Sequence, residues 1–411
     1  MQSIKHLFLV ICLLALLSSC GQASFELAPA EPAADDVDQA DDPALPAETL
    51  PDKSGDLIPD GVLVSTTSEN SLTFVDADGI NVSEIETPGI ISIGPEDVAI
   101  AGPLVPGGPF PPVVYRSWIP DQGLMVNKDG QISSARISDA FLALVGAPGQ
   151  AAIAFSEVVL DENTFPHGFL FAGKIDSLNT VPAFFDLVDE PFYWALKPVG
   201  VGTVAGEPQG VWYVKTAWGI GGADLIFPIN RGLYFFDLTS GDNVQMLNDV
   251  HSLQGISPDL GFAASVDAGS ASDGALSVTR LADQQTQQFP LDPATDRGAG
   301  WAVFSPNNRH VAWLEATGSM ISDPYDFQPR VRIGDIQTGS VVQVVEATAV
   351  NQVIGGKSVT MLQPVGWLDN ESLLIEVRAD NWEDASLLRF DITTGSLTAF
   401  SEGAFLAFAY Q

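Results

Sequence analysis

A phrase that recurs along the chain constrains the fold more than any other feature. Each copy has an apolar approach, a turn built from Pro, Asp, Asn or Gly, and a second apolar run. Copies include "GISPDLGFAASV" (255–266), "AVFSPNNRHVAWLEA" (302–316) and "GWLDNESLLIEV" (366–377). Two apolar runs joined by turn residues are typical of a β-hairpin. Because other copies do not repeat the pair Ser305 and His310, that pair is predicted to be part of the hairpin and not a catalytic dyad.

A second phrase follows the hairpin. It reads "GLYFFDLTSGDNVQML" (232–247), "RVRIGDIQTGSVVQVV" (330–345) and "LLRFDITTGSLTAF" (387–400). In each copy an alternating strand reaches an Asp, turns through a Thr-Gly or Ser-Gly pair and enters another strand. Asp237, Asp335 and Asp391 occupy the matching position, where a carboxylate can accept backbone N–H groups of the turn. We expect this role to be structural.

Together the two phrases form a four-stranded antiparallel unit that recurs about every 40 to 60 residues. A repeat of this length and content predicts an all-β fold, the β-propeller. The predicted blades are 89–138, 139–188, 192–248, 252–292, 299–346 and 361–401.

Two stretches remain outside these blades. Residues 61–86 offer three strands, and residues 404–410 offer one. We expect them to pair in one blade closed by the N- and C-terminal strands, because closure removes sheet edges that promote aggregation. The expected count is seven blades, with six or eight as alternatives.

The phrases resemble the repeats of TolB-type propellers, in which an SPDG-like turn precedes an apolar strand. The resemblance covers most of 90–411 and is weakest in 61–140 and 190–215. It implies the fold and leaves the function open, because propellers of this kind serve both binding proteins and enzymes.

The N-terminal residues predict export and lipid anchoring. Lys5 and His6 precede an apolar run of eleven residues, Leu7 to Leu17, which is too short to span a bilayer and is typical of a signal peptide. The sequence Leu-Ser-Ser-Cys at its end resembles a bacterial lipobox, which implies that Cys20 is the lipidated first residue of the mature protein. We therefore expect an extracytoplasmic protein, at the cell surface or in the periplasm.

The chain is predicted to have three parts. Residues 1–19 form the signal peptide, residues 20–60 the lipidated cysteine and a tether, and residues 61–411 the propeller. Between 23 and 60 there are eleven acidic residues against Lys53 alone, a composition that cannot form a packed core. The formal net charge of −35 excludes nucleic acid as a partner, because phosphates would be repelled.

A partner site is predicted on the connections between the second and third strands of the blades, which are long and carry aromatic residues beside charges. They are 103–122, 156–168, 215–232, 317–330 and 378–386. The candidate partner-binding residues are Trp118, His167, Trp218, Arg231, Tyr325, Arg330 and Trp382. Trp, Tyr and Arg are the residue types that most often dominate binding energy.

The sequence predicts neither a catalytic nor a metal site. It contains no G-x-S-x-G nucleophile motif, and its histidines are too dispersed for a zinc signature. The favoured function is a monomeric, non-catalytic binding scaffold for an envelope protein or peptide, attached to the membrane through its lipid only. The alternative is a calcium-dependent hydrolase or lactonase with its site at the central channel. No cofactor is expected, although calcium stays possible.

Overall fold

The computed structural model describes most of the chain between Ile58 and Ala409. The described ranges are 58–66, 71–86, 98–100, 113–116, 124–128, 131–135, 141–146, 152–160, 166–174, 182–184, 194–217, 226–227, 229–267, 275–319, 326–379 and 385–409. Cys20 and the predicted signal peptide and tether lie outside them, apart from 58–60.

The described residues are mostly strands. In chain order these are β1 (Gly61–Thr66), β2 (Ser71–Asp76), β3 (Asn81–Glu86), β4 (Val98–Ile100), β5 (Val113–Arg116), β6 (Leu124–Lys128), β7 (Gln131–Ala135), β8 (Phe141–Gly146), β9 (Ala152–Leu160), β10 (Pro166–Lys174), β11 (Pro182–Phe184), β12 (Trp194–Val204), β13 (Glu207–Ala217) and β14 (Asn230–Asp237). The remaining elements are β15 (Asn243–Ile256), β16 (Phe262–Asp267), β17 (Ala275–Arg280), β18 (Thr286–Pro290), β19 (Ala299–Phe304), β20 (His310–Thr317), β21 (Gln328–Asp335), β22 (Ser340–Glu346), the helix α1 (Ala347–Val353), β23 (Val359–Trp367), β24 (Ser372–Ala379), β25 (Ala385–Asp391), β26 (Ser396–Glu402) and β27 (Ala404–Ala409).

These strands form antiparallel sheets in chain order, consistent with the predicted propeller. The four-stranded sheets are β27-β1-β2-β3, β4 to β7, β8 to β11, β19 to β22 and β23 to β26. A further sheet contains β12 to β18, and its long middle strand β15 serves both halves. The sequence predicted a break between 248 and 252, but β15 runs through it, with a register shift between Leu253 and Gly255. A register shift of this kind bends a strand without ending it.

The C-terminal strand pairs with the N-terminal strand, as the sequence predicted for 404–410. β27 is antiparallel to β1, and Val62 lies opposite Phe408. Val62, Val64 and Phe405 are buried against Leu374 and Leu387 of the β23–β26 sheet. Apolar burial therefore holds the two chain ends together and packs them on the neighbouring sheet.

The faces of adjacent sheets form the core because apolar side chains alternate along each strand. Phe289 of β18 packs on Trp313 of β20, with ring centroids 5.4 Å apart and both side chains fully buried. On the other face of β20, Ala312 lies in a cluster with Leu373 and Ile375 of β24.

The hairpin turns are held by a serine. The Ser305 hydroxyl accepts the backbone N–H of His310 and donates to Asn307 Oδ1, both at 2.9 Å. Ser257 makes the corresponding bonds with Phe262 and Asp259. The prediction that Ser305 belongs to a repeated turn is confirmed.

The aspartates of the second phrase also have the predicted role. Asp335 Oδ1 accepts the N–H groups of Gln337 and Thr338 at 3.0 Å, and Asp237 and Asp391 make the matching pairs of bonds. Gly339 closes the turn at a φ of 67°, in the left-handed region that glycine tolerates.

Two features differ from the expectation. Helix α1 follows β22, where the sequence predicted only a connection. The predicted long connection 103–122 contains β5, because its "VVYR" run is rich in β-branched and aromatic residues. In the part of the chain that the structure describes, no helix is long and apolar enough to cross a membrane.

Candidate binding face

The ends of the second and third strands of each sheet define one edge, which we call the long-connection end. It is marked by the strand pairs Leu160 with Pro166, Thr216 with Asn230, Thr317 with Gln328, and Arg378 with Ala385. The strands extend further into the predicted connections than the sequence indicated. The connections are consequently shorter, for example 161–165 in place of 156–168 and 218–229 in place of 215–232.

The predicted partner-binding residues divide into two groups. Trp118, Trp218, Tyr325 and Trp382 lie outside the described residues. His167, Arg231 and Arg330 are described, and each lies near the start of a third strand (β10, β14 and β21) and not in a connection. Rigid strands therefore position these three residues at the long-connection end.

Arg231 is an exposed cation supported by an aromatic ring. Its guanidinium carbon lies 4.7 Å from the ring centroid of Trp194, the buried first residue of β12. Within the described residues Arg231 forms no ion pair, in contrast to the neighbouring Lys215, which is paired with Asp249 at 3.3 Å. Stacking on the indole face stabilises the cation and fixes the guanidinium plane while leaving its N–H groups available.

Trp301 has a strained backbone at the same end. Its φ of 50° is unusual for a bulky residue, and it lies within a register shift between Gly300 and Val303 of β19. Strain of this kind costs about 1–3 kcal/mol and occurs often at functional sites. The bulge directs the half-buried indole towards Phe227, at a centroid distance of 5.7 Å in an edge-on arrangement.

Phe227 reaches this position from the connection between β13 and β14. A Cβ atom added to Gly300 would clash with the Phe227 ring, so glycine permits the contact. Ile226, Phe327 and Met361 complete the apolar cluster behind the two rings. Neither Phe227 nor Trp301 was singled out from the sequence, although Trp301 directly follows Gly300.

Arg330 has a different environment from Arg231. It is mostly buried and pairs with Asp292 at 3.1 Å. The backbone N–H of Ala294 and the Arg330 guanidinium hold the pKa of Asp292 below its usual value. Arg330 therefore stabilises the segment that leads into β19, whereas Arg231 is exposed and has no ion pair among the described residues.

The described residues contain no group of three or more His, Cys, Asp or Glu residues that could hold a metal ion. The His310 ring stacks on Trp367 at 6.0 Å, and burial lowers its pKa. Its bond to Ser305 is made by the backbone, so the two side chains do not form the arrangement of a nucleophile and its base.

Comparisons with known proteins support the fold. No protein-family description matches the chain, and no curated protein matches it. It is similar to the solved structure of a puromycin hydrolase, at 14% identity and a TM-score of 0.53, over 87% of this chain and 56% of that one. It is also similar to a putative TolB from Agrobacterium tumefaciens (16% identity, TM-score 0.39, 70% of this chain and 88% of that one). At 14% identity, the likeness to the puromycin hydrolase shows the fold alone.

A third similar structure is TolB from Acinetobacter baumannii, at 14% identity and a TM-score of 0.38, over 84% of this chain and 81% of that one. The sheet topology places the protein in the all-β class of consecutive antiparallel sheets, most of them four-stranded, an architecture consistent with a β-propeller.

Proposed function

We propose that this protein is an exported lipoprotein whose sheets form a closed, seven-bladed, TolB-like propeller and that it binds an envelope protein or peptide without catalysing a reaction. Counting β15 in both halves of the β12–β18 sheet gives seven four-stranded units. Contacts between β27 and β4, β4 and β8, β8 and β12, β15 and β19, and β19 and β23 support a ring.

The anchor is Cys20. The apolar run and the Leu-Ser-Ser-Cys sequence support lipidation, and the acidic segment 23–60 would hold the propeller away from the lipid headgroups. In a Cys20→Ser variant, the protein should leave the membrane fraction or accumulate as unprocessed precursor. Unchanged fractionation together with unchanged processing would contradict the assignment.

The observation that carries the binding function is Arg231 stacked on Trp194. An exposed arginine with no described carboxylate partner is notable in a chain with a net charge of −35, and it lies at the same end as the strained Trp301. Arginine and tryptophan are enriched among the residues that dominate binding energy. The partner would supply an acceptor for the guanidinium and an apolar group for the Phe227–Trp301 cluster.

The calcium-dependent hydrolase is the second candidate, favoured by the fold shared with puromycin hydrolase. Such an enzyme requires carboxylates available to hold the metal. In the described part of the chain, the buried carboxylates Glu315, Asp335 and Glu376 are each bonded to an arginine already. Turnover that is lost on chelation and restored by calcium would favour this candidate over the scaffold.

Arg231→Ala tests the binding function. Capture of the partner by the purified full chain from envelope extract should weaken roughly thirtyfold, the effect of losing an interface anchor worth about 2 kcal/mol. The melting temperature should barely change. Arg309→Ala is the matched control, because Arg309 is an exposed arginine at the opposite end, where it pairs with Asp335. If only the Arg309→Ala variant lost capture, the partner would bind at the end opposite the long-connection end, which would contradict the proposal.

A further inference from the structure

A polar cleft of about 780 Å³ lies between the β16–β18 strands and the β19–β22 sheet, at the end opposite the long-connection end. Side-chain amides from separate turns and from β18 line it. They belong to Gln285, Gln287, Asn307, Asn308 and Gln337. Its volume is within the range of small-ligand sites.

Asn308 is fixed in the cleft by its backbone and by one hydrogen bond. It has a φ of 55°, and its Nδ2 donates to Asp259 Oδ2 at 2.6 Å. Asp259 is held in turn by Ser257 and by the backbone N–H of Gly261. This arrangement determines which way the Asn308 amide faces.

The other end of that amide is an unused acceptor. Asn308 Oδ1 is buried and has no hydrogen-bond partner among the described residues. A buried acceptor without a donor costs free energy, and because Asn308 lines the cleft, a ligand hydroxyl that reached Oδ1 through a small movement of the turn would supply the donor. The cleft therefore favours a ligand that donates hydrogen bonds.

The other residues that line the cleft restrict the chemical class of the ligand. Amides both donate and accept, as sugar hydroxyls do, and the half-buried Phe262 offers an apolar ring against which sugar C–H groups can pack. Arg280, the cation in the lining, is engaged by Gln285 at 2.6 Å and by Asp283 at 3.1 Å. The negative charge of the chain opposes anionic ligands.

We propose that this cleft binds a neutral oligosaccharide. A peptide added as a strand would be held by the main-chain groups of an exposed sheet edge, whereas the polar groups here are side-chain amides distributed around a cavity. The proposal is independent of partner binding at the long-connection end, so Arg231→Ala should leave sugar binding unchanged.

Titration calorimetry of the full chain tests the proposal, in a detergent without a sugar headgroup. The probes are cellotetraose, maltotetraose and N,N′,N″,N‴-tetraacetylchitotetraose, with tetragalacturonic acid and tetraalanine as comparators. At least one neutral tetrasaccharide should bind saturably and more tightly than either comparator. Absence of saturable binding, or preference for tetraalanine or tetragalacturonic acid, would overturn the proposal.

Two variants locate the binding site. Asn308→Gly keeps the left-handed backbone and removes the amide, and Gln285→Ala changes an exposed residue. Each should weaken binding about three- to tenfold, as the loss of one or two hydrogen bonds implies. Gln288→Ala is the control, since Gln288 points to the opposite face of β18 from Gln287 and should bind normally. Unchanged affinity in both cleft variants would refute the site.

Discussion

The β19–β22 and β23–β26 sheets each bury a glutamate on their second strand, but the two carboxylates are satisfied differently. Glu315 is completely buried and accepts hydrogen bonds from the Trp313 indole at 2.9 Å and from Arg332 at 2.7 Å. It also accepts from the Asp292 backbone and the Thr295 hydroxyl. Both Asp292 and Thr295 lie in the segment entering β19, so Glu315 attaches this segment to the sheet.

Glu376 has fewer partners. It pairs with Arg378 at 3.0 Å and accepts the backbone N–H of Phe405 at 2.9 Å. Burial raises its pKa, and neither Arg378 nor the Phe405 N–H fully offsets the effect. Both glutamates therefore fix an incoming segment, but Glu315 accepts from four donor residues whereas Glu376 accepts from two.

The largest expected effect is on β27, the segment that Glu376 holds. Deleting residues 403–411 removes Phe405, exposes Val62 and Val64, and leaves Glu376 without its backbone donor. We expect a loss of about 5 kcal/mol or more, comparable with the whole stability of a typical domain, and a tendency to aggregate. Thermal and urea unfolding measure it. A truncated protein that melts cooperatively at the parent temperature would show that the tail is dispensable.

Glu315→Ala should be the next most damaging change. It leaves Arg332 mostly buried without its carboxylate and frees Asp292 and Thr295, so unfolding should become easier by about 3–5 kcal/mol. The control is Glu346→Ala, because Glu346 is exposed on β22 and should change stability by less than about 0.5 kcal/mol. If urea unfolding showed the same loss of stability for both substitutions, the stabilising role described for Glu315 would be contradicted.

The Glu376→Gln variant tests the difference between the two glutamates through the pH dependence of stability. The pKa of Glu376 is raised in the folded state. Its contribution to the free energy of unfolding is therefore fully present below the unfolded-state pKa and is lost as the pH rises through the folded-state pKa. Relative to wild type, the Gln variant should therefore gain stability between acidic and neutral pH. Urea unfolding across that range measures the trend. A stability difference independent of pH would contradict the described environment of Glu376.

Strand-level features were predictable because they depend on local sequence. The Asp335 turn and the Ser305 hairpin follow from residue type and spacing, and the pairing of β27 with β1 follows from unpartnered strands at both chain ends. Long-range features were not predictable in the same way. The stacking of Arg231 on Trp194 joins residues that are distant in sequence, and only the sheet brings them together.

The backbone conformation of Trp301 is another feature that could not be predicted from the sequence. Its left-handed backbone depends on the bulge in β19, and its contact with Phe227 depends on a connection from another sheet. The periodic pattern places Trp301 on a strand but contains no signal for the extra residue that redirects its side chain. Backbone strain that tertiary packing imposes therefore cannot be predicted from the repeat pattern.

Site-specific photo-crosslinking in cells tests most directly whether the long-connection end is the binding face. A photo-reactive amino acid such as p-benzoylphenylalanine would replace Gln328, an exposed residue at that end that leaves Arg231 intact, or, as a control, Thr394 in the exposed turn at the opposite end. The account predicts a discrete crosslinked adduct from position 328 and none from position 394. A discrete adduct from position 394 alone would contradict it.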